Sequence, residues 1–349
     1  MIPVAVNARF RNRPLTGVER FATEVCRELS NESAVEIREI LPAKPKAGLR
    51  GHAWEQFILP GKPEKNEILF SPCNTGPVRV ERQLPVIHDA AVWDSADTFG
   101  FAFQKVYRTI LPQLARKSRA VGTVSEFSRI RLAECLRIPE EKIHVLGNAV
   151  SSDFSPPPER HSSNTLLCVG SLDPRKNFSR LLLAWQSLQK DNRLPDSARL
   201  DIIGAANPKN FSHVEQEGVH GVNWLGRVSD AELVRHYQNA KAFIFPSFYE
   251  GFGLPPLEAM ACGTPVLLSR AASLPEVGGP EFSPQDPSGN GAALYFDPMS
   301  ENEMANAIEK AFRCDEATSE KWSRNALDRA GQFSWRTVAQ RTGAIFEGL

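Results

Sequence analysis

Two carboxylates, Glu250 and Glu258, stand eight residues apart in Phe245-Pro-Ser-Phe-Tyr-Glu-Gly-Phe-Gly-Leu-Pro-Pro-Leu-Glu-Ala-Met-Ala-Cys-Gly-Thr-Pro-Val266. The apolar start reads as a buried strand ending near Ser247 and the middle as a glycine-containing loop. Pro255 or Pro256 then falls in the first turn of a helix, a place proline favours. A helix start carries unpaired N–H groups and a partial positive charge, which suits a diphosphate. Gly251 and Gly253 let the backbone approach such a ligand closely. Glu250 on the loop and Glu258 one turn into the helix are then separated along the ligand, one able to hold sugar hydroxyls and the other a ribose diol. Taken alone, the pair has an ordinary explanation as a loop acid and a helix-dipole acid; the full string is what points to chemistry.

That string resembles the E-x7-E signature, EGFGLPxxEAMA-G-PV, of retaining glycosyltransferase family 4 enzymes with the GT-B fold. Val169-Gly-Ser-Leu-Asp-Pro-Arg-Lys-Asn177 is similar to the family's G-x-x-x-x-R-K-N loop, so the resemblance implies that Gly170, Arg175 and Lys176 face the nucleotide diphosphate. Two fixed cations there would stabilise charge on the departing diphosphate. Asp201-Ile-Ile-Gly-Ala205 and Val222-Asn-Trp-Leu-Gly-Arg-Val-Ser-Asp230 resemble the strands that follow, the second implying Val228 as a contact to the base. In the first half, Leu15-Thr-Gly-Val-Glu-Arg20 is similar to the family's first strand-to-helix loop, with Gly17 beside donor phosphates or acceptor. Val86-Ile-His-Asp-Ala90 is similar to its H-D segment, with His88 beside the transferred sugar. Backbone amides of Phe252, Gly253 and Leu254 would hold sugar hydroxyls or phosphate. Val124-Ser-Glu-Phe-Ser-Arg-Ile130 and Gly147-Asn-Ala-Val150 extend the likeness, with Ser125, Ser128 and Asn148 as hinge and cap residues. Gly147-Asn148 departs from the usual Pro-Asn pair.

No Asp-x-Asp occurs, so no metal–diphosphate grip is expected and no metal or other cofactor is required. No Gly-x-x-x-x-Gly-Lys-Ser/Thr loop occurs, which argues against a nucleotide hydrolase. Phe99 to Lys117 combines aromatics with Lys105, Arg108, Arg116 and Lys117; it reads either as a core-facing helix with a basic solvated face or as a peripheral membrane contact.

The elements that must position these residues follow from length and periodicity. At 349 residues the chain is long enough for two domains, and 42% hydrophobic with 23% charged residues describes a folded, soluble protein. Basic and acidic residues balance at 41 each, which removes the case for a nucleic-acid binder. Six scattered cysteines without a C-x-x-C pair suggest reduced thiols in the cytoplasm. The N-terminus is charged too early for a signal peptide, and no apolar run approaches a membrane span.

Short apolar runs alternate with amphipathic stretches, the pattern of parallel α/β layering. Strands are expected at 3–9, 36–42, 67–73, 84–89, 119–124 and 142–148, then at 165–171, 199–204, 222–226, 241–246, 265–269 and 292–296. Helices are expected at 16–30, 101–117, 126–136, 177–190, 229–239, 255–262 and 301–313. The triple proline in Ser151 to Asn164 reads as an interdomain linker. The expected architecture is α/β: GT-B, two Rossmann-like doubly wound parallel sheets facing a central cleft. An acceptor-binding domain spans 1–150 and a nucleotide-sugar domain 165–320, and the tail 321–349 crosses back to the first domain.

The resemblance implies a retaining, metal-independent transferase moving a hexose, mannose first, from a nucleotide sugar to a glycan or lipid-linked acceptor in cell-surface polysaccharide assembly. A sugar-nucleotide epimerase of the same fold and a non-catalytic nucleotide-sugar-binding subunit are the alternatives.

Overall fold

A computed structural model describes residues 1–44, 48–159, 163–204 and 219–349, which divide into two units: Met1–Ala149 with Phe333–Leu349, and Val150–Gln332. In each, the central parallel strands are apolar runs bounded by turn residues, buried on both faces and therefore without polar alternation, while the edge strands Val35–Ile40 and Val222–Gly226 keep exposed polar residues.

The first unit contains β1 (Ile2–Asn7), α1 (Gly17–Asn31), β2 (Val35–Ile40), α2 (Gly48–Phe57), β3 (Ile68–Ser71), β4 (Gln83–Pro85), α3 (Ala91–Asp94), α4 (Phe101–Lys117), β5 (Val121–Thr123), α5 (Glu126–Leu136) and β6 (Ile143–Val145). β1 pairs with β2 and β3, and β3 with β4, all parallel. β5 and β6 form a parallel pair that a Val86–Gly122 bridge joins to the continuation of β4. The order is thus 2-1-3-4-5-6, and the winding direction reverses between β1 and β3. On α1, Phe21, Ala22, Val25, Cys26 and Leu29 are buried, the stripe expected of a helix lying on a sheet.

The second unit contains β7 (Thr165–Val169), α6 (Phe178–Lys190), β8 (Arg199–Ile203), β9 (Val222–Gly226), α7 (Asp230–Asn239), β10 (Ala242–Phe245), α8 (Leu254–Ala261), β11 (Val266–Ser269), α9 (Leu274–Gly278), β12 (Ala293–Phe296), α10 (Glu301–Arg313) and α11 (Glu316–Ala330). Its six strands run parallel in the order 12-11-10-7-8-9, so the reversal falls between β7 and β10. Side-chain oxygens of Ser229, Ser300 and Asp315 accept from the third residue of α7, α10 and α11 respectively, which fixes where these helices start. Trp185, Phe178, Phe296 and Trp322 fill one face of the sheet.

Several boundaries differ from the sequence expectation. β1 ends at Asn7 instead of Arg9, because Ala8–Asn12 turns into a 3₁₀ helix that carries Arg9 into the interior. α2 has no counterpart among the expected elements. The stretch taken as a linker is anchored to the second unit: Phe154 is buried with its ring edge-on to Tyr237, and Gln238 Nε2 donates to Ser155 O at 2.8 Å. Residues 160–162 of that stretch, and Ala205, lie outside the described residues. The tail expected to start at 321 belongs to the first unit only from Phe333, because α11 completes the second unit through Gln332. The last helix, α12 (Trp335–Glu347), packs on α1, with Phe346 edge-on to Phe70 and Trp335 edge-on to Phe21.

Gly204, just past β8, allows the tips of β7 and β8 to meet. A Cβ there would lie 1.8 Å from Gly170 O. Gly204→Ala is expected to destabilise the second unit by at least about 2 kcal/mol, since backbone must shift to admit it. Gly226→Ala, at φ +67° with open space around it, should cost about 1 kcal/mol. Thermal unfolding of the two variants checks the order, and equal losses would refute it.

Candidate active site

The carboxyl end of a doubly wound sheet at its point of reversal is where such folds bind ligands. In the second unit that point is the pair β7 and β10. The loop after β7 carries Gly170, Arg175 and Lys176; the loop after β10 carries Glu250, Gly251, Phe252 and Gly253 and leads into α8 at Leu254. Lys176 Nζ bonds Glu250 Oε1 at 2.5 Å, with the two side chains 15% and 16% exposed. The same ammonium lies 4.8 Å from the centre of the Phe245 ring. Withdrawing these charges from water carries a desolvation cost that only their mutual attraction offsets, so removing either partner leaves an uncompensated charge.

Both loops are held by side chains that the sequence reading did not single out. Asp173 caps the 3₁₀ turn Pro174–Lys176, accepting from Arg175 N at 2.9 Å, and also pairs with the Arg175 guanidinium at 3.1 Å. Asn177, buried in a left-handed conformation, donates through Nδ2 to Pro246 O at 3.1 Å and Pro298 O at 2.8 Å. Phe248 N donates to Arg175 O at 2.8 Å. The Ser273 hydroxyl, fully buried, lies 2.9 Å from Glu250 O and 2.8 Å from Phe252 O, a bifurcated tether beneath the loop.

Gly253 has φ +108° at the position preceding α8, and a Cβ would come within 2.8 Å of the Leu274 side chain. Pro255 and Pro256 have no N–H, so this helix start offers a ligand chiefly the Gly253 and Leu254 amides. The Phe252 ring is buried, and its carbonyl accepts from Ser273. Glu258 is half-buried on α8, and Tyr237 donates its hydroxyl to Glu258 Oε2 at 3.1 Å. Val228 is half-buried between β9 and the capping residue of α7.

His88 and Gly17 belong to the first unit. Gly17 is the first residue of α1 and has helical backbone, so what it contributes is the lack of a side chain rather than conformational freedom. His88 is 6% exposed, its Nε2 lies 2.9 Å from Pro72 O, and its ring packs edge-on against Phe21. Burial pulls its pKa down to about 4, which keeps the imidazole neutral. Ser125 caps α5 by accepting from Ser128 N at 3.0 Å.

The first unit also holds a buried polar cluster that sequence reasoning missed. Glu55 accepts from Asn7 Nδ2 at 2.7 Å and pairs with Arg9 at 3.6 Å, and Arg9 donates to Thr75 at 3.2 Å. Burial works to raise the Glu55 carboxyl, but His52, Arg9, Asn7 and Thr75 together hold it below its usual range. Asn7 and Thr75 end or follow β1 and β3, the strands flanking this sheet's reversal. Among the described residues, no group of three or more His, Cys, Asp or Glu side chains is arranged to hold a metal ion.

Against known proteins, residues 151–329 match the family model described as glycosyl transferases group 1. The chain is 30% identical over 295 residues to O-antigen chain mannosyltransferase B of Escherichia coli, covering 80% of this chain and 73% of that protein. It is 32% identical over 247 residues to O-antigen chain mannosyltransferase RfbU of Salmonella typhimurium strain LT2, covering 69% of this chain and 64% of that one. Among solved structures, Anabaena HepE in complex with UDP-glucose superposes with a TM-score of 0.75 over the whole of both chains at 14% identity, a likeness of fold.

The state of His88 has a measurable consequence. Between pH 6.5 and about 4 the unfolded chain binds a proton that the folded chain refuses, so stability falls as pH drops through that window. At the acid end the loss approaches roughly 3 kcal/mol. His88→Gln is expected to flatten this part of the stability profile relative to wild type in denaturant titrations at stepped pH, and parallel profiles would exclude it.

Proposed function

The chain belongs to the glycosyl transferases group 1 family and is a glycosyltransferase; from that premise we propose that it moves a hexosyl group, mannose first, from a nucleotide-diphosphate sugar to a hydroxyl of a glycan or lipid-linked acceptor. The setting proposed is cytoplasmic assembly of a cell-surface polysaccharide, in keeping with the O-antigen enzymes it resembles and with its six unpaired cysteines. Family membership sets aside the epimerase and binding-subunit alternatives.

One observation carries the reading: Lys176 and Glu250 meet at 2.5 Å at the point of sheet reversal, beside Arg175. A donor diphosphate would exchange with the carboxylates now facing these cations, Arg175 leaving Asp173 and Lys176 leaving Glu250 for phosphate oxygens. Glu250, released, accepts from the hydroxyls of the sugar, while Glu258 takes the ribose diol and Val228 borders the base. Gly170 leaves room beside Lys176, and the Gly251 to Leu254 backbone completes the cradle. The bond from the anomeric carbon to the diphosphate oxygen breaks as the acceptor oxygen bonds to the same face of that carbon. The acceptor's proton passes to the departing phosphate oxygen, and the configuration is retained. Arg175 and Lys176 stabilise the charge released on the diphosphate, the part a metal ion plays elsewhere. In the first unit, His88, neutral at assay pH with Nε2 held by Pro72 O, and Gly17, which has no side chain, keep the roles the family resemblance implies for them.

The acceptor reading extends to α4. Its buried residues are confined to Leu111, Leu114 and Ala115, whereas Phe101 is 80% and Phe103 40% exposed. The helix contains Lys105, Arg108, Arg116 and Lys117 and no acid. Phe101 and Lys105, on the exposed side of a helix without acidic residues, suit the surface of an anionic bilayer, where lipid-linked acceptors reside, while Arg108 and Arg116 donate to Val92 O and Leu136 O. No helix among the described residues is long and apolar enough to cross a membrane.

Glu250→Gln is expected to lower transfer from GDP-mannose by on the order of a hundredfold or more with EDTA present; turnover unchanged by the substitution would refute the site, and wild-type turnover abolished by EDTA would refute metal independence. The protein should co-sediment with vesicles containing anionic lipid and much less with zwitterionic ones, and Phe101→Ser with Lys105→Glu should abolish the difference. Equal sedimentation of wild type with both would exclude the bilayer contact.

A further inference from the structure

We infer that Tyr237 is a positioning residue that sets the enzyme's demand for an intact ribose by holding Glu258. This rests on the reading of Glu258 as the ribose ligand. Tyr237 is completely buried, and its hydroxyl donates to Glu258 Oε2 at 3.1 Å. Burial first, and the Glu258 carboxylate second, push the phenol well above its ordinary range, so it remains protonated and a donor throughout the working pH range.

The ring is itself fixed, packing edge-on against Phe243 at 5.5 Å and Phe154 at 6.1 Å, while Thr264 Oγ1 donates to the backbone carbonyl of Tyr237 at 2.6 Å and so holds the main chain that carries it. At the other end of α7, Ser229 and Glu232 form a reciprocal cap immediately after Val228. The helix therefore begins beside the residue assigned to the base and carries, two turns on, the hydroxyl that orients the residue assigned to the ribose. A carboxylate held this way can accept a diol without first being ordered. A partly buried glutamate without a fixed donor would have to be ordered by the ligand, which weakens binding.

Tyr237→Phe keeps the ring and removes only the donor. Affinities of wild type, Tyr237→Phe and Glu258→Gln would be measured by calorimetry for whichever of GDP and UDP the wild type binds more tightly, and for its 2′,3′-dideoxy form. Wild type should prefer the ribonucleotide. In Tyr237→Phe the ribonucleotide should weaken by on the order of tenfold while the dideoxy form binds as before. Unchanged dideoxy binding also reports an intact fold, so a general loss of structure is distinguished from loss of ribose recognition. If Glu258→Gln erases the preference and Tyr237→Phe retains it, the role of Tyr237 is refuted and the ribose reading stands. If Glu258→Gln itself retains the preference, the ribose reading falls and this inference with it.

Discussion

The ion pair between Lys176 and Glu250 joins two loops that are far apart in sequence and adjacent only because β7 and β10 are neighbours in a sheet whose winding reverses between them. Both charges are largely withdrawn from water, so neither loop can adopt its conformation while the other is elsewhere without stranding a charge. Around this pair the site is secured by the neighbouring Asp173–Arg175 pair and by uncharged bonds. Asn177 reaches across to Pro246 O, Phe248 N reaches back to Arg175 O, and Ser273 tethers the carbonyls of Glu250 and Phe252 from below. Such an arrangement keeps cations and carboxylate preorganised and mutually neutralised until a ligand of higher charge density replaces one partner.

The first unit solves a similar problem with a different cluster. Asn7, Arg9, Glu55 and Thr75 meet beneath the ends of β1 and β3, and the carboxylate keeps its charge despite burial because several donors converge on it. Breaking such a network is costlier than any one of its bonds suggests, since each group removed leaves another unsatisfied. The cluster fixes the chain at the start of the segment that leads through Arg13 and Thr16 to Gly17 and α1.

Much of this was legible in the residues. Helices 101–117 and 301–313 appear with those bounds because each has an apolar periodicity, and 126–136 because Ser125 caps its start and Arg137 turns left-handed at its end. The donor loops were legible because Arg175, Lys176, Glu250 and Glu258 are surrounded by glycine and proline at spacings that specify backbone shape. What escaped was determined by tertiary contacts. α2 shows no amphipathic pattern, because it buries Gly51, Trp54 and the charged Glu55 together. Arg9 reads as the outer end of a strand and is instead carried inward by a 3₁₀ turn toward a partner 46 positions away. Ser273, Asp173 and Tyr237 look like ordinary turn, cap and core residues, and only the atoms they face reveal what they hold in place.

The discontinuity of the first unit has a consequence for biosynthesis. The apolar face of α1 and the Phe70 ring are covered in part by α12, whose residues are translated only after the whole of Val150–Gln332. At ordinary elongation rates that interval is roughly ten to forty seconds. During it the second unit, continuous in sequence, has all it needs to fold as it emerges. The earlier-made unit must wait with Phe21 and Phe70 lacking their final neighbours. Newly made chains would therefore be most prone to aggregation, and most dependent on chaperones, at their oldest end, the reverse of the gradient expected for domains completed in order of synthesis.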